Sequence, residues 1–369
     1  MSMEKRTIGL IIAIILIAGA ILALEPLSPN RSFTGTPVTP GNRTAINAVK
    51  AQKYPYAKEI AEPSGFVNGD NLTIGGLIGK KVILVDFWTY SCINCVRTIP
   101  YLNMWYDEYH DQGLEIIGVH SPEFEFEHDI SNVREAVRKY GIRYPVVLDN
   151  NHATWSAYGN LYWPEDYLID IDGFIVNRHI GEGGYNETEM EIQALLRERA
   201  EALGIRINIT NTTGVPGNAV AVDYSEVGSP ETYFGAERNM YLGNGQKSVT
   251  GLQTLALPAG LNPNELYLTG AWNFAGQYAE TAGRTSVVYR YNAKNVYLVA
   301  SAGNVTAVTV LLDGKPVPAD KAGTDVTGSV AMVGDERLYS LIQGNEYRSH
   351  TLELDIPGPG LRAYTFTFG

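Results

Sequence analysis

The sequence predicts an α/β domain, a mixed sheet flanked by helices, followed by an all-β sandwich or jelly roll, with an N-terminal membrane anchor ahead of both. Three observations carry this expectation. Strand-like and helix-like patterns alternate between residues 57 and 203, as layered α/β folds require. From about residue 225 onward, short β-type runs recur between Gly, Pro and Asp-Gly turns, with no useful helical pattern. An unbroken apolar run over residues 8–24 follows Lys5 and Arg6.

In chain order, residues 1–24 read as a signal anchor or transmembrane helix. The small triplet Ala18-Gly19-Ala20 lies inside the apolar run rather than after it, which favours an uncleaved anchor with its basic end inside and the remainder exported. Residues 25–56, with Pro26, Pro29, Pro37 and Pro40, read as a Pro-rich spacer. Within 57–203, the apolar, β-branched stretch 81–88 is a buried strand and 93–110 a helix. A strand at 114–120 and a helix at 130–140 come next, then a short apolar stretch at 146–149. A strand at 167–170 turns through Asp172-Gly173 into a second at 174–179, and an amphipathic helix over 187–203 closes the domain. Residues 204–224, rich in Asn, Thr, Gly and Pro, are a linker, and 225–369 hold the all-β domain.

Composition narrows the function classes. At 45% apolar and 18% charged residues the chain is globular rather than disordered. A net charge of −12 without a basic cluster argues against nucleic acid as a partner. Asn-x-Ser/Thr triplets at Asn30, Asn42, Asn71, Asn186, Asn208, Asn211 and Asn304 are compatible with export.

The chemistry centres on the chain's only two cysteines, Cys92 and Cys95. Placed between a strand and a helix, the pair sets its first sulfur at a helix N-terminus, where unsatisfied amides and the dipole favour a thiolate. Cys92 is therefore the attacking thiol and Cys95 the resolving one. Asp86, six residues before Cys92 on the strand, is the candidate buried carboxylate that exchanges a proton with the resolving thiol. Trp88 and Tyr90 are candidate walls of a substrate groove. Trp163-Pro164 is a candidate cis-proline site that exposes backbone edges to an extended substrate, with Tyr144-Pro145 competing.

Other readings of the same residues stay in view. A zinc site needs a further Cys/His pair, and the six His are not clustered at ligand spacing, so no metal is expected. A structural disulfide across three residues closes too small a loop to matter. Thr89-x-x-Cys92 fits a thiol peroxidase, though Trp88 and Asp86 favour disulfide exchange. Tyr233, Phe234, Trp272, Phe274 and Tyr278 supply either an aromatic platform for a surface glycan or the β-domain core. Asp170-x-Asp172-Gly173 looks like the start of a calcium loop but fits a hairpin turn, and Glu123, Glu125 and Glu127 read as a solvated edge.

Asp86-Phe87-Trp88 ahead of Cys92-x-x-Cys95 resembles the thioredoxin superfamily. The longer strings at 88–105, 118–128, 144–150, 162–173 and 181–189 resemble the thioredoxin-like domain of DipZ-type proteins, relatives of the TlpA/ResA oxidoreductases. Segments 229–235, 337–344 and 363–369 are similar to the carbohydrate-binding-module-like β-sandwich of the same proteins, so the resemblance covers residues 57–369. It implies a thioredoxin fold, Cys92 and Cys95 as the redox pair, Pro164 as the cis-proline, and Glu123 near the active-site rim. It implies no cofactor beyond the redox-active disulfide, and protein disulfides or dithiols as substrates. DipZ proteins usually carry a multi-helix electron-conducting membrane domain ahead of this part. A single anchor here leads to the expectation of a separate membrane electron donor.

Overall fold

The structure, a computed structural model, describes residues 40–369 apart from residue 211. The anchor expected over 1–24 lies outside the described residues. Among the described residues, no helix is long and apolar enough to cross a membrane.

The first half is a six-stranded sheet in the order β1-β4-β3-β2-β5-β6. The strands are β1 (Gly65–Val67), β2 (Val82–Trp88), β3 (Leu114–His120), β4 (Val146–Leu148), β5 (Glu165–Ile169) and β6 (Ile175–Ile180). β2, β3 and β4 run parallel, whereas β1, β5 and β6 join antiparallel. Six helices accompany them: α1 (Pro40–Lys53), α2 (Ile74–Leu77), α3 (Ile93–Tyr109), α4 (Ile130–Lys139), α5 (Ala153–Tyr158) and α6 (Tyr185–Leu203). All seven β2 residues are buried, which is why this strand reads as a continuous apolar run rather than an alternation. Its Val82, Leu84 and Trp88 face Leu102, Trp105 and Tyr109 of α3 and Ile192 and Leu196 of α6. Ile83, Val85 and Phe87 face a second core with Ile74, Ile117 and Val119.

The spacer expected over 25–56 needs correcting in its second part, because residues 40–53 are helical. Pro40 stands first in α1, where a missing N–H costs nothing, and the good helix formers Ala45, Ala48, Lys50, Ala51, Gln52 and Lys53 carry its later turns. The helix is tied to the α/β half: Lys50 Nζ meets Asp170 Oδ2 at 2.6 Å and Asp172 Oδ2 at 3.1 Å, and also pairs with Glu198. The acidic group that resembles a calcium loop is thus held by a lysine, while Asp170 Oδ1 accepts from the amides of Asp172 and Phe174 in a turn closed by Gly173 at φ 93°.

The second half is all β. Its eleven strands form one hydrogen-bonded network rather than two separate sheets, because the long strands Thr285–Ala302 and Arg337–Ile356 change partners along their length. Phe234, Trp272, Phe274, Tyr289, Tyr291 and Phe366 fill its core. This corrects the glycan platform: Trp272 and Phe274 are 0% and 2% exposed, and Trp272 Nε1 donates to the Thr269 carbonyl at 2.9 Å. The last three residues of the strand Leu266–Phe274 alternate, so these two rings point inward and Asn273 between them points out. Tyr233 is occupied as well, donating its hydroxyl to Glu123 Oε1 at 2.9 Å.

The two halves share a core. Val299, Leu338 and Tyr364 from the β half belong to the apolar cluster that contains Cys95. Tyr364 meets Phe124 and Phe126 edge-on, with centroids 5.1 and 4.8 Å away.

Candidate active site

Cys92 is the N-cap of α3, half-buried, and its side chain caps no backbone amide. Cys95, in the first turn, is buried and belongs to the core. The two thiols are therefore unequal in access. Burial pushes the Cys95 thiol well up, and the neighbouring Cys92 and Asp86 push the same way. The peptide Trp163-Pro164 is cis, and the Trp163 carbonyl lies 3.9 Å from Cys92 Sγ. Pro164 is buried. Trp163 is half-buried, packs on Trp155 at 4.4 Å between centroids, and donates Nε1 to the Ser121 carbonyl at 3.0 Å.

Asp86 lies on the β2 face covered by α3, 1% exposed. Burial raises its carboxyl well above the usual range, with Asp166 and Cys92 adding to the shift. The structure thus brings together Cys92, Cys95, Asp86, Trp163 and Pro164. It does not bring Trp88 to a groove wall: that ring is 0% exposed and meets His120 edge-on at 5.2 Å. Gly118 on β3 makes room for it, since a Cβ there would stand 2.9 Å from Trp88 Nε1. Tyr90 is 3% exposed and stacks on His120 at 5.6 Å. What remains of its surface lines a cavity of about 990 Å³ between the two halves, with Tyr140, Arg337 and Arg362, and not a groove beside Cys92.

Thr89 is also fully buried, its Oγ1 3.4 Å from His120 Nε2. Burial pushes His120 down to about 3, so it is neutral near pH 7. A threonine turned inward onto a neutral imidazole does not present a hydroxyl to a peroxide at Cys92.

Three residues escaped the sequence reading. Glu127, expected on a solvated edge, is fully buried. Its Oε1 accepts from Ser91 Oγ at 2.6 Å and from Ser91 N at 3.3 Å, and its Oε2 from the amides of Glu123 at 2.6 Å and Phe124 at 3.0 Å. It ties the turn before Cys92 to the loop after β3. Glu123 in turn accepts from Arg238 Nη1 at 2.6 Å and from Tyr233, and only Glu125 stays exposed. Arg97, 4% exposed, forks onto Glu182 and gives Nη2 to Asn94 Oδ1 at 2.9 Å. Tyr224, from the linker, donates to the same Asn94 oxygen at 3.2 Å. Asn94 is one of the two residues between the cysteines, so Tyr224 reaches the turn that holds them. The third residue is Asp166, which stands opposite Asp86 on β5.

Residues 61–178 match the AhpC/TSA family, and residues 229–369 match the thioredoxin-like C-terminal domain. The thiol-disulfide oxidoreductase YkuV of Bacillus subtilis is 31% identical over 140 residues, 38% of this chain and 93% of that protein. The thiol-disulfide oxidoreductase ResA of Bacillus thuringiensis is 33% identical over 132 residues, 36% of this chain and 70% of that protein. The chain belongs to the thioredoxin-like thiol–disulfide oxidoreductases. Protein DipZ of Mycobacterium bovis matches across both halves of the chain, 37% identical over 290 residues and 78% of its length. The chain spans 39% of the length of the DipZ proteins it matches.

Proposed function

We propose that the chain performs thiol–disulfide exchange on exported proteins, reducing their disulfides while held at the membrane by residues 1–24. Cys92, the accessible sulfur, attacks a substrate disulfide and forms a mixed disulfide. Cys95 then attacks Cys92 Sγ, and the substrate leaves as a dithiol. The observation that carries the reading is the inequality of the two sulfurs: Cys92 is half-exposed at the helix start with the Trp163 carbonyl 3.9 Å away, and Cys95 is buried behind it. Trp163 and Pro164 offer backbone for an extended substrate segment, and electrons come from a membrane partner.

Two substitutions test the order of attack. Cys92→Ser is expected to abolish exchange, and Cys95→Ser to accumulate mixed disulfides visible on non-reducing gels. Trapping by the Cys92→Ser chain instead would reverse the assignment. The anchor has its own test in fractionation of the full chain beside a fragment beginning at Pro40. The full chain is expected with membranes and the fragment in solution, and a membrane-bound fragment would overturn the role given to residues 1–24.

A further inference from the structure

A second buried carboxyl stands beside Asp86. Asp86 on β2 and Asp166 on β5 are direct partners in the antiparallel register. Leu84 and Leu168, opposite each other one pleat away, both lie in the core that holds Cys95, so the two carboxyls leave the sheet on the face under α3. Asp86 is 1% and Asp166 7% exposed, and one Oδ1 on each has no hydrogen-bond partner from the protein. An ionised carboxylate only accepts hydrogen bonds, so two buried carboxyls set opposite each other can satisfy one another only if a proton stands between them. Two buried negative charges facing across adjacent strands would repel strongly.

The other titratable groups near the pair are Cys92 and Cys95 from α3, Tyr144 from the segment leading into β4, Glu165 beside Asp166, and His179, which stands opposite Asp166 on β6. Burial raises both carboxyls, and Glu165 raises Asp166 further.

We propose that Asp166 is the proton-holding partner of Asp86: the two carboxyls carry one proton between them, and Asp166 takes it over when Asp86 accepts the proton that Cys95 must release. The step balances. As the Cys95 sulfur bonds to Cys92 Sγ, the bond from Cys92 to the substrate sulfur breaks and that sulfur leaves with the electron pair. The thiol proton of Cys95 passes to the free oxygen of Asp86, and the proton already on Asp86 crosses to Asp166. When a donor dithiol later reopens the Cys92–Cys95 bond, the protons return along the same path. A lone carboxylate in this site would hold the buried negative charge on one group, whereas the pair spreads the same single charge over two carboxyls bridged by a proton. Asp166 acts through Asp86 and is a positioning residue.

The inference rests on the exchange reading above, and its test separates the two. Carboxyl-carbon NMR of the full reduced chain should show one proton retained by the pair through neutral pH. The rate of mixed-disulfide resolution, followed against pH, should lose its dependence on this group in Asp86→Asn. In Asp166→Asn the limb should move down by about one pH unit or more, because removing the neighbouring charge lets Asp86 ionise earlier. Both carboxyls ionised near neutral pH in the unaltered chain would overturn the proposal, as would an unmoved limb in a folded Asp166→Asn chain. Failure of the unaltered chain to reduce a small aromatic disulfide would instead strike the exchange reading, and the carboxyl titration would still decide the state of the pair.

Discussion

Replacing Arg97 by alanine will destabilise the folded chain by about 3–5 kcal/mol, the size found when one partner of a buried ion pair is removed. The guanidinium side chain is 3% exposed and the Glu182 carboxylate 7%, so neither charge recovers water when the other is lost. Arg97 gives Glu182 hydrogen bonds of 3.0 and 2.9 Å from Nε and 2.5 Å from Nη2. Burial already pushes the Glu182 carboxyl up, and Arg97 is what opposes that shift. Without the arginine, Glu182 must take up a proton or keep an uncompensated buried charge. Lysine will recover little, because one ammonium cannot reproduce a planar fork that also reaches Asn94 and Tyr224. Urea denaturation of the reduced proteins measures the loss, and a change below about 1 kcal/mol would mean that water or another cation takes over the site. Exchange should slow in the same variant, since Asn94 lies between the two cysteines and loses Arg97 as a donor.

The parts of this site that the sequence discloses are those whose partners lie close in the chain. β2 shows because a central parallel strand must be apolar on both faces, and all seven of its residues are buried. Cys92 and Cys95 show because the strand-to-helix junction fixes where each sulfur points. Asp86 stands out as the one charge in an apolar strand. Asp166 does not, because its meaning comes from a register partner 80 residues away, and Glu165 beside it turns to the opposite face and meets Arg178. Glu127 was obscured by its neighbours: three glutamates at alternate positions suggest one wet edge, but the segment coils as a 3₁₀ turn and sends them three ways. Trp272 and Phe274 could be assigned to one face from their spacing, but spacing alone does not say whether that face is inside. The helix over 40–53 was hidden by prolines that end where it begins.

Glu127→Gln will cost about 2–3 kcal/mol and slow exchange, although it changes neither cysteine nor the volume of the side chain. Both carboxylate oxygens accept in the structure, Oε1 from Ser91 and Oε2 from the amides of Glu123 and Phe124. An amide has only one acceptor oxygen. If that oxygen faces Ser91, the NH₂ group points at two backbone N–H donors; if it is flipped, the NH₂ group meets the Ser91 amide. Either way a buried donor stands against a donor, and the loop after β3 must move to relieve it. That loop carries Phe124 and Phe126, which pack on Tyr364, and Glu125, whose amide donates to Gln277 Oε1 at 2.9 Å. A shift there therefore loosens the contact between the two halves and frees the turn that leads into Cys92. Glu127→Asp keeps the charge but shortens the reach, so it should recover part of the stability and little of the exchange rate. Equal denaturation midpoints for Glu127→Gln and the unaltered chain would show that the buried carboxylate is not what holds the loop to the redox turn.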